Sequence, residues 1–107
     1  MPLAIKTLDK KTIIKNIVKI VNISRISKWT YKNFILDLPG KWKKSIGVFD
    51  ESKKEIVAYC IVSEKKDSLH IHLLMVSNKY QGLGLGSQMI KNISDDRNKK
   101  ITVKTFT

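Results

Sequence analysis

Hydrophobic and polar positions recur with two different periods along this chain. Behind Asp9, a suitable helix N-cap, apolar residues follow helical spacing, with lysines at positions 10, 11, 15 and 19 on the other side. These apolar residues are Ile13, Ile14, Ile17, Val18 and Val21. A short strand over residues 2–8 is predicted before this helix. A second helix is predicted from Trp29 to Leu38, ended by Pro39-Gly40.

From Ser45 onwards the apolar pattern is that of strands. Three β-rich runs joined by polar turns predict an antiparallel meander: residues 46–49, 55–63 and 69–76. A glycine-bearing loop over 77–86, a helix over 86–98 and a closing strand over 101–106 follow. Because a strand–helix–strand crossover pairs its strands in parallel, the order predicts an α/β (α+β) domain with a mixed sheet.

Length and composition predict one globular domain over residues 1–107, since 42% of the residues are apolar. No apolar run reaches the roughly 18 residues of a membrane span, and the N-terminus lacks the apolar stretch of a secretory signal. Cys60 is the single cysteine, which excludes an internal disulfide; within VAYCIV it is expected in the core. Together these features predict a cytoplasmic protein with no membrane partner.

The charge is strongly positive, at +12. Of the 21 basic residues 19 are Lys, whereas direct base readout relies on Arg, and the chain also holds 15 Ile. A drift in composition towards Lys and Ile therefore accounts for the excess, and charge alone favours a nucleic-acid-binding domain only weakly. Residues 1–44 carry +9 and residues 45–107 carry +3, a distribution that attracts a small polyanionic ligand.

The glycines at 82, 84 and 86 predict a loop whose backbone N–H groups approach an anion, at the positive end of a helix dipole. A P-loop is excluded because Ser87 follows Gly86 directly, with no Lys between them. A dinucleotide-binding fingerprint beginning at Gly84 is excluded because position 89 is Met and position 104 is Lys.

The segment Gln81–Gly86 has the form Q-x-x-G-x-G and resembles the coenzyme A pyrophosphate loop of the GNAT (Gcn5-related) N-acetyltransferases. Val76, five residues before Gln81, and the aromatic Tyr80 match that family's pattern as well. The resemblance implies N-terminal helices, a meander, then strand, pyrophosphate loop, helix and strand. It also implies direct transfer of acetyl from acetyl-CoA to a primary amine, with Cys60 not needed as a nucleophile.

The same resemblance implies that the backbone around Leu74 and Val76 pairs with the pantetheine arm, where a β-bulge would aim an amide at the acetyl carbonyl. The residues expected to bind the cofactor are Leu74, Met75, Val76, Gln81, Gly82, Leu83, Gly84, Leu85, Gly86 and Ser87.

His70 and His72 are two residues apart, so on a strand both project from one face, with Ile71 and Leu73 on the other. The pair is similar to the strand histidines of serotonin N-acetyltransferase, which implies that they accept the amine's proton. The alternative is that they satisfy polar positions on a half-buried strand. A zinc site would need Cys60 as a third ligand, so no metal is expected.

The aromatic residues Trp29, Tyr31, Phe34 and Trp42 are expected either to contact the acceptor amine or to pack the helices on the sheet. The family's C-terminal helix and last two strands have no counterpart here. We therefore expect a fragment of a longer protein, a sheet edge completed by a second chain or a homo-oligomer, or a shortened relic. The alternative function is a non-catalytic acetyl-CoA-binding module.

Overall fold

The computed structural model describes residues 3–24, 29–65 and 68–94, together with the backbone of 100–103. The strands are β1 (Leu3–Thr7), β2 (Ile46–Asp50), β3 (Glu55–Lys65), β4 (Ser68–Val76) and β5 (Lys100–Val103). The helices are α1 (Lys10–Lys15), α2 (Ile17–Ile23), α3 (Tyr31–Ile35), α4 (Lys41–Lys44) and α5 (Leu85–Ser94).

The strands form one sheet in the order β1-β2-β3-β4-β5. The first four pair antiparallel, and β5 pairs with β4 in parallel. The predicted mixed sheet and element order are therefore confirmed. The predicted ends of the last helix (95–98) and of the last strand (104–106) lie outside the described residues.

Asp9 caps the first helix as predicted, because its Oδ1 accepts the Thr12 N–H at 2.8 Å. The helix does not run on unbroken, since Asn16 separates α1 from α2. The core receives Ile13 and Ile20, whereas three of the predicted core-facing residues are exposed: Ile14 by 42%, Val18 by 73% and Val21 by 42%. A helix that packs on one face of a sheet buries a single stripe of side chains. The residue directly after each buried position therefore points towards solvent.

The second predicted helix is shorter than its apolar pattern indicates. A capping box between Thr30 and Asn33 starts α3, which ends at Ile35. The chain then turns through Gly40, whose φ of 70° is left-handed, into α4, which the sequence pattern did not indicate.

Each face of the sheet has its own core. Helix α5 packs on one face through Leu85, Met89 and Ile93, over Cys60 and Ile71. The helices α1 to α4 cover the other face, where Phe34, Tyr59 and Leu73 are buried. In the described part of the chain, no helix is long and apolar enough to cross a membrane.

Candidate functional site

The glycine-bearing loop leaves β4 through a fixed turn. The Ser77 N–H donates to the Val57 carbonyl at 2.8 Å, and a single 3-10 turn follows over Asn78–Tyr80. Gly82 and Gly84 then adopt φ values of 83° and 76°, a left-handed conformation that side chains disfavour. A Cβ built on either glycine would meet nothing within 4 Å, so the backbone here borders open space.

Helix α5 begins directly behind this loop. Its first backbone hydrogen bond runs from the Gln88 N–H to the Gly84 carbonyl at 3.0 Å. The N–H groups of Leu85, Gly86 and Ser87 therefore have no carbonyl one turn earlier in the helix. These donors and the helix dipole form an anion-binding end next to the two left-handed glycines.

The outer edge of β4 pairs with β5 over only part of the strand in the described residues. Its described pairing with β5 runs from Ser68–Lys100 to Ile71–Val103 and goes no further within the described residues. Residues 72–76 thus extend past the described ladder, in the direction of the loop. An extended ligand can pair with such a strand edge by backbone hydrogen bonds.

A cleft of about 850 Å³ opens at this end of the sheet. Of the residues predicted to bind the cofactor, five line it: Leu74, Met75, Val76, Gln81 and Gly86. Gly82, Leu83 and Gly84 form the exposed loop beside it. Ser87 is exposed in the first turn of α5, and Leu85 is buried.

Helix α2 and β3 contribute cleft residues that sequence reasoning missed, among them Lys19, Asn22 and Glu55. Lys19 Nζ lies 3.2 Å from Glu55 Oε2, so a partly exposed ion pair stands at the cleft. Lys19 is one of many lysines in the N-terminal half, and no local motif distinguishes it.

Asp50 is a further residue that the motif search missed. The Tyr80 hydroxyl donates to Asp50 Oδ2 at 2.7 Å, and both side chains are buried. Hydrogen bonds from Ser52 and Tyr80 lower the pKa of Asp50 to about 2, and the same carboxylate raises the pKa of Tyr80 to about 12.

Both histidines lie on β4 as predicted, half-buried, with ring centroids 4.5 Å apart. Ser63 on β3 lies within hydrogen-bond distance of His72, with 2.8 Å between Oγ and Nε2, and the Trp29 ring is 6.0 Å away. Neither His70 nor His72 lines the cleft. His72 lies two residues before Leu74, about 7 Å along the strand.

The prediction that Leu73 lies on the face of β4 opposite His72 is wrong. Ile61 pairs with Leu73 and Val62 with Ile71, so His72 is an extra residue in β4. This β-bulge places Leu73 in the core under α1 to α4, on the same face as the Trp29 ring that His72 contacts. Ile71 is buried on the other face, with the residues of α5.

The aromatic residues divide between packing and exposure. Trp29 meets Phe34 edge to face at 5.2 Å, whereas the Tyr31 side chain is 48% exposed. Trp42 Nε1 donates to Asp37 Oδ1 at 2.8 Å.

Cys60 is buried in the core, and burial raises the pKa of its thiol to about 12, so it holds no thiolate near neutral pH. Among the residues described, no three His, Cys, Asp or Glu side chains come together as a metal site.

Several solved acetyltransferases have this fold. The ribosomal-protein-S18-alanine N-acetyltransferase of Escherichia coli is 17% identical, with a TM-score of 0.73 over 89% of this chain and 59% of its own. The diaminobutyrate acetyltransferase of Paenibacillus lautus, in complex with its substrate and coenzyme A, is 8% identical, with a TM-score of 0.73 over 91% of this chain and 59% of its own. The chain thus spans about three fifths of the length of these two proteins.

The glucosamine-6-phosphate N-acetyltransferase of Arabidopsis thaliana is 15% identical, with a TM-score of 0.67 over 100% of this chain and 84% of its own. No curated protein matches the chain. A family model described as an acetyltransferase (GNAT) domain matches residues 25–107. The chain therefore belongs to the GNAT acetyltransferase family.

Proposed function

We propose that this chain binds acetyl-CoA and transfers its acetyl group to a primary amine. The observation that carries the proposal is the segment Gln81–Ser87, in which two left-handed glycines border open space and lead directly into the α5 N-terminus. Backbone donors around a space without side chains suit a pyrophosphate, which needs several hydrogen bonds at close range.

The residues present fit two parts of the cofactor, its pyrophosphate and its pantetheine arm. The N–H groups of Leu85, Gly86 and Ser87 would hold the pyrophosphate, and the β4 edge at Leu74 and Val76 would hold the pantetheine arm. When bound, acetyl-CoA supplies an activated thioester carbonyl. A β4 backbone amide next to the His72 bulge would stabilise the negative charge that develops on its oxygen.

The proposed base is one of the two histidines. An ammonium must lose its proton before it attacks a thioester, and imidazole accepts protons near neutral pH. His72 has the Ser63 hydroxyl at 2.8 Å to orient its ring. The amine then attacks directly, which agrees with a Cys60 thiol that is buried and protonated.

Acetyl-CoA binding tests the proposal first. A ligand that binds only the folded state raises stability, by about 2.7 kcal/mol at one hundred times its Kd. We expect acetyl-CoA to raise the Tm of the wild type and to leave that of Gly84→Glu unchanged, because the new carboxylate enters the space for the phosphates. The readout is thermal unfolding, with binding measured by titration calorimetry.

Asn92→Glu is the matched control, since it adds the same charge at an exposed position of the adjoining helix α5. Its Tm should rise with acetyl-CoA as in the wild type. Equal stabilisation of Gly84→Glu and Asn92→Glu would contradict the loop assignment. Thiol release with a panel of amines then tests transfer, and binding without thiol release would favour the non-catalytic acetyl-CoA-binding module.

A further inference from the structure

The Tyr80 side chain connects the glycine loop to a distant strand. The ring is 4% exposed and packs in the core under α5, although the residue belongs to the turn before Gln81. Its hydroxyl donates to Asp50 on β2 at 2.7 Å. Since β3 lies between β4 and β2, the contact joins the loop that leaves β4 to a strand that does not pair with β4.

The Asp50 carboxylate is itself held in place by the β2–β3 turn. Its Oδ1 accepts the Ser52 hydroxyl at 2.6 Å and the Ser52 N–H at 3.0 Å, which leaves Oδ2 for Tyr80. Asp50 is fully buried, yet it does not line the cleft beside the loop. It borders a separate cleft with Lys6, Lys15 and Lys54.

Between Tyr80 and Leu85 the loop has no buried side chain. Residues 81–84 are all exposed, and Leu83 is 48% exposed, whereas Leu85 is 5% exposed. The loop is therefore fixed at its two ends, by Tyr80 on one side and by Leu85 on the other. The hydroxyl of Tyr80 is positioned by its hydrogen bond to Asp50.

We infer that Asp50 is a positioning residue for acetyl-CoA, which acts on the pyrophosphate loop through Tyr80. The inference rests on the proposed function, because it concerns the affinity of the same site. Asp50 itself does not line the cleft, and it reaches the cleft through Tyr80, which does. It fixes the entry of the loop so that the backbone donors of residues 82–87 point to one place without the ligand's help.

The test is a double-mutant cycle on the full chain, with the Kd for acetyl-CoA measured by calorimetry. Tyr80→Phe removes the hydroxyl, and Asp50→Asn removes the charge of its acceptor while it keeps the shape. Each variant should raise the Kd about tenfold, the effect of losing one charge-assisted hydrogen bond. If Asp50 acts through Tyr80, the double variant should bind within about twofold of Tyr80→Phe.

Tyr59→Phe is the control for a merely structural effect. Tyr59 is also a buried tyrosine, and its hydroxyl donates to the Ile20 carbonyl at 3.1 Å on the other face of the sheet. This variant should lose stability but keep the wild-type Kd. If thiol release is measurable, KM for acetyl-CoA should rise with Kd in the two loop variants, and kcat should stay within about twofold.

The outcomes separate the inference from the proposed function. A wild type that does not bind acetyl-CoA overturns both. If the wild type binds but Asp50→Asn or Tyr80→Phe has an unchanged Kd, the inference alone is overturned. The same holds if the increase in Kd of the double variant is the product of the two single increases. Should Asp50→Asn fail to fold, Ser52→Ala replaces it, because it removes the hydroxyl hydrogen bond that helps to hold the same carboxylate in place. An unchanged Kd would again overturn the inference.

Discussion

Ser63 on β3 makes a close polar contact with His72, in the bulged part of β4. Ser63 is 4% exposed and its Oγ lies 2.8 Å from His72 Nε2, so the serine restricts the imidazole to one orientation. His70 lies beside the same ring, 4.5 Å from centroid to centroid. Of the two, His72 is closer along the strand to Leu74, where the proposed acetyl site begins.

We expect His72→Gln to lower kcat/KM for the amine by about 10² to 10⁴, the usual contribution of a general base. The Kd for acetyl-CoA should stay at the wild-type value, which excludes a general loss of structure. An unchanged kcat/KM would contradict the proposed role, and His70→Gln measured in parallel would show which ring is the base.

At the scale of elements, Lys41 joins two helices that are each too short to be stable alone. Its side chain is buried, and Nζ donates to the carbonyls of Asn33, Phe34 and Leu36 at 3.1, 2.8 and 2.7 Å. These three acceptors match the three protons of an ammonium. Burial lowers the pKa of Lys41 to about 8, so the group is charged at pH 7.

Lys41→Met should lower the free energy of unfolding by about 1–3 kcal/mol, because it leaves buried carbonyls at the end of α3 without a donor. Urea denaturation at pH 7 measures the change. The matched control is Lys43→Met, an exposed lysine of the same helix, which should change stability by no more than about 0.5 kcal/mol. Equal effects of the two substitutions would contradict the role of Lys41 as a joint between α3 and α4.

At the scale of the whole molecule, the net positive charge grows as pH falls. The nine Asp and Glu side chains lose their negative charge, while the 21 Lys and Arg side chains keep their positive charge. Asp50 adds a specific contribution to acid unfolding. Its pKa is about 2 in the folded protein and near 3.8 in the unfolded chain. Between these values the unfolded chain binds more protons, so stability falls as pH falls.

We therefore expect stability to decrease from about pH 4 to pH 2, with Asp50 contributing up to one proton to the slope. The measurement is urea unfolding at a series of pH values. In Asp50→Asn the unfolding free energy should be lower than in the wild type at pH 5, and the difference should shrink towards pH 2. A difference that is constant over this range would show that the carboxylate's charge does not stabilise the fold.

The sequence pattern predicted those parts of the molecule that depend on nearby residues. The three strands of the meander follow from their apolar runs, and the glycine loop follows from spacing within seven residues. The contact between Tyr80 and Asp50 was not predictable, because the residues are 30 positions apart and meet across β3. The choice between Ile13 and Ile14 as the buried position was not predictable either, since both fit the helical period and packing against the sheet decides.

The bulge in β4 bears on what a change at position 72 would do to the fold. His72 is the extra residue of the bulge, so the ladder pairs Val62 with Ile71 and Ile61 with Leu73 on either side of it, and both apolar residues are buried. The side chain at position 72 is thus held by its contacts with Ser63 and the Trp29 ring rather than by the register of the strand. A substitution at position 72 therefore changes the polar groups beside β4 while the pairing of the strand stays the same.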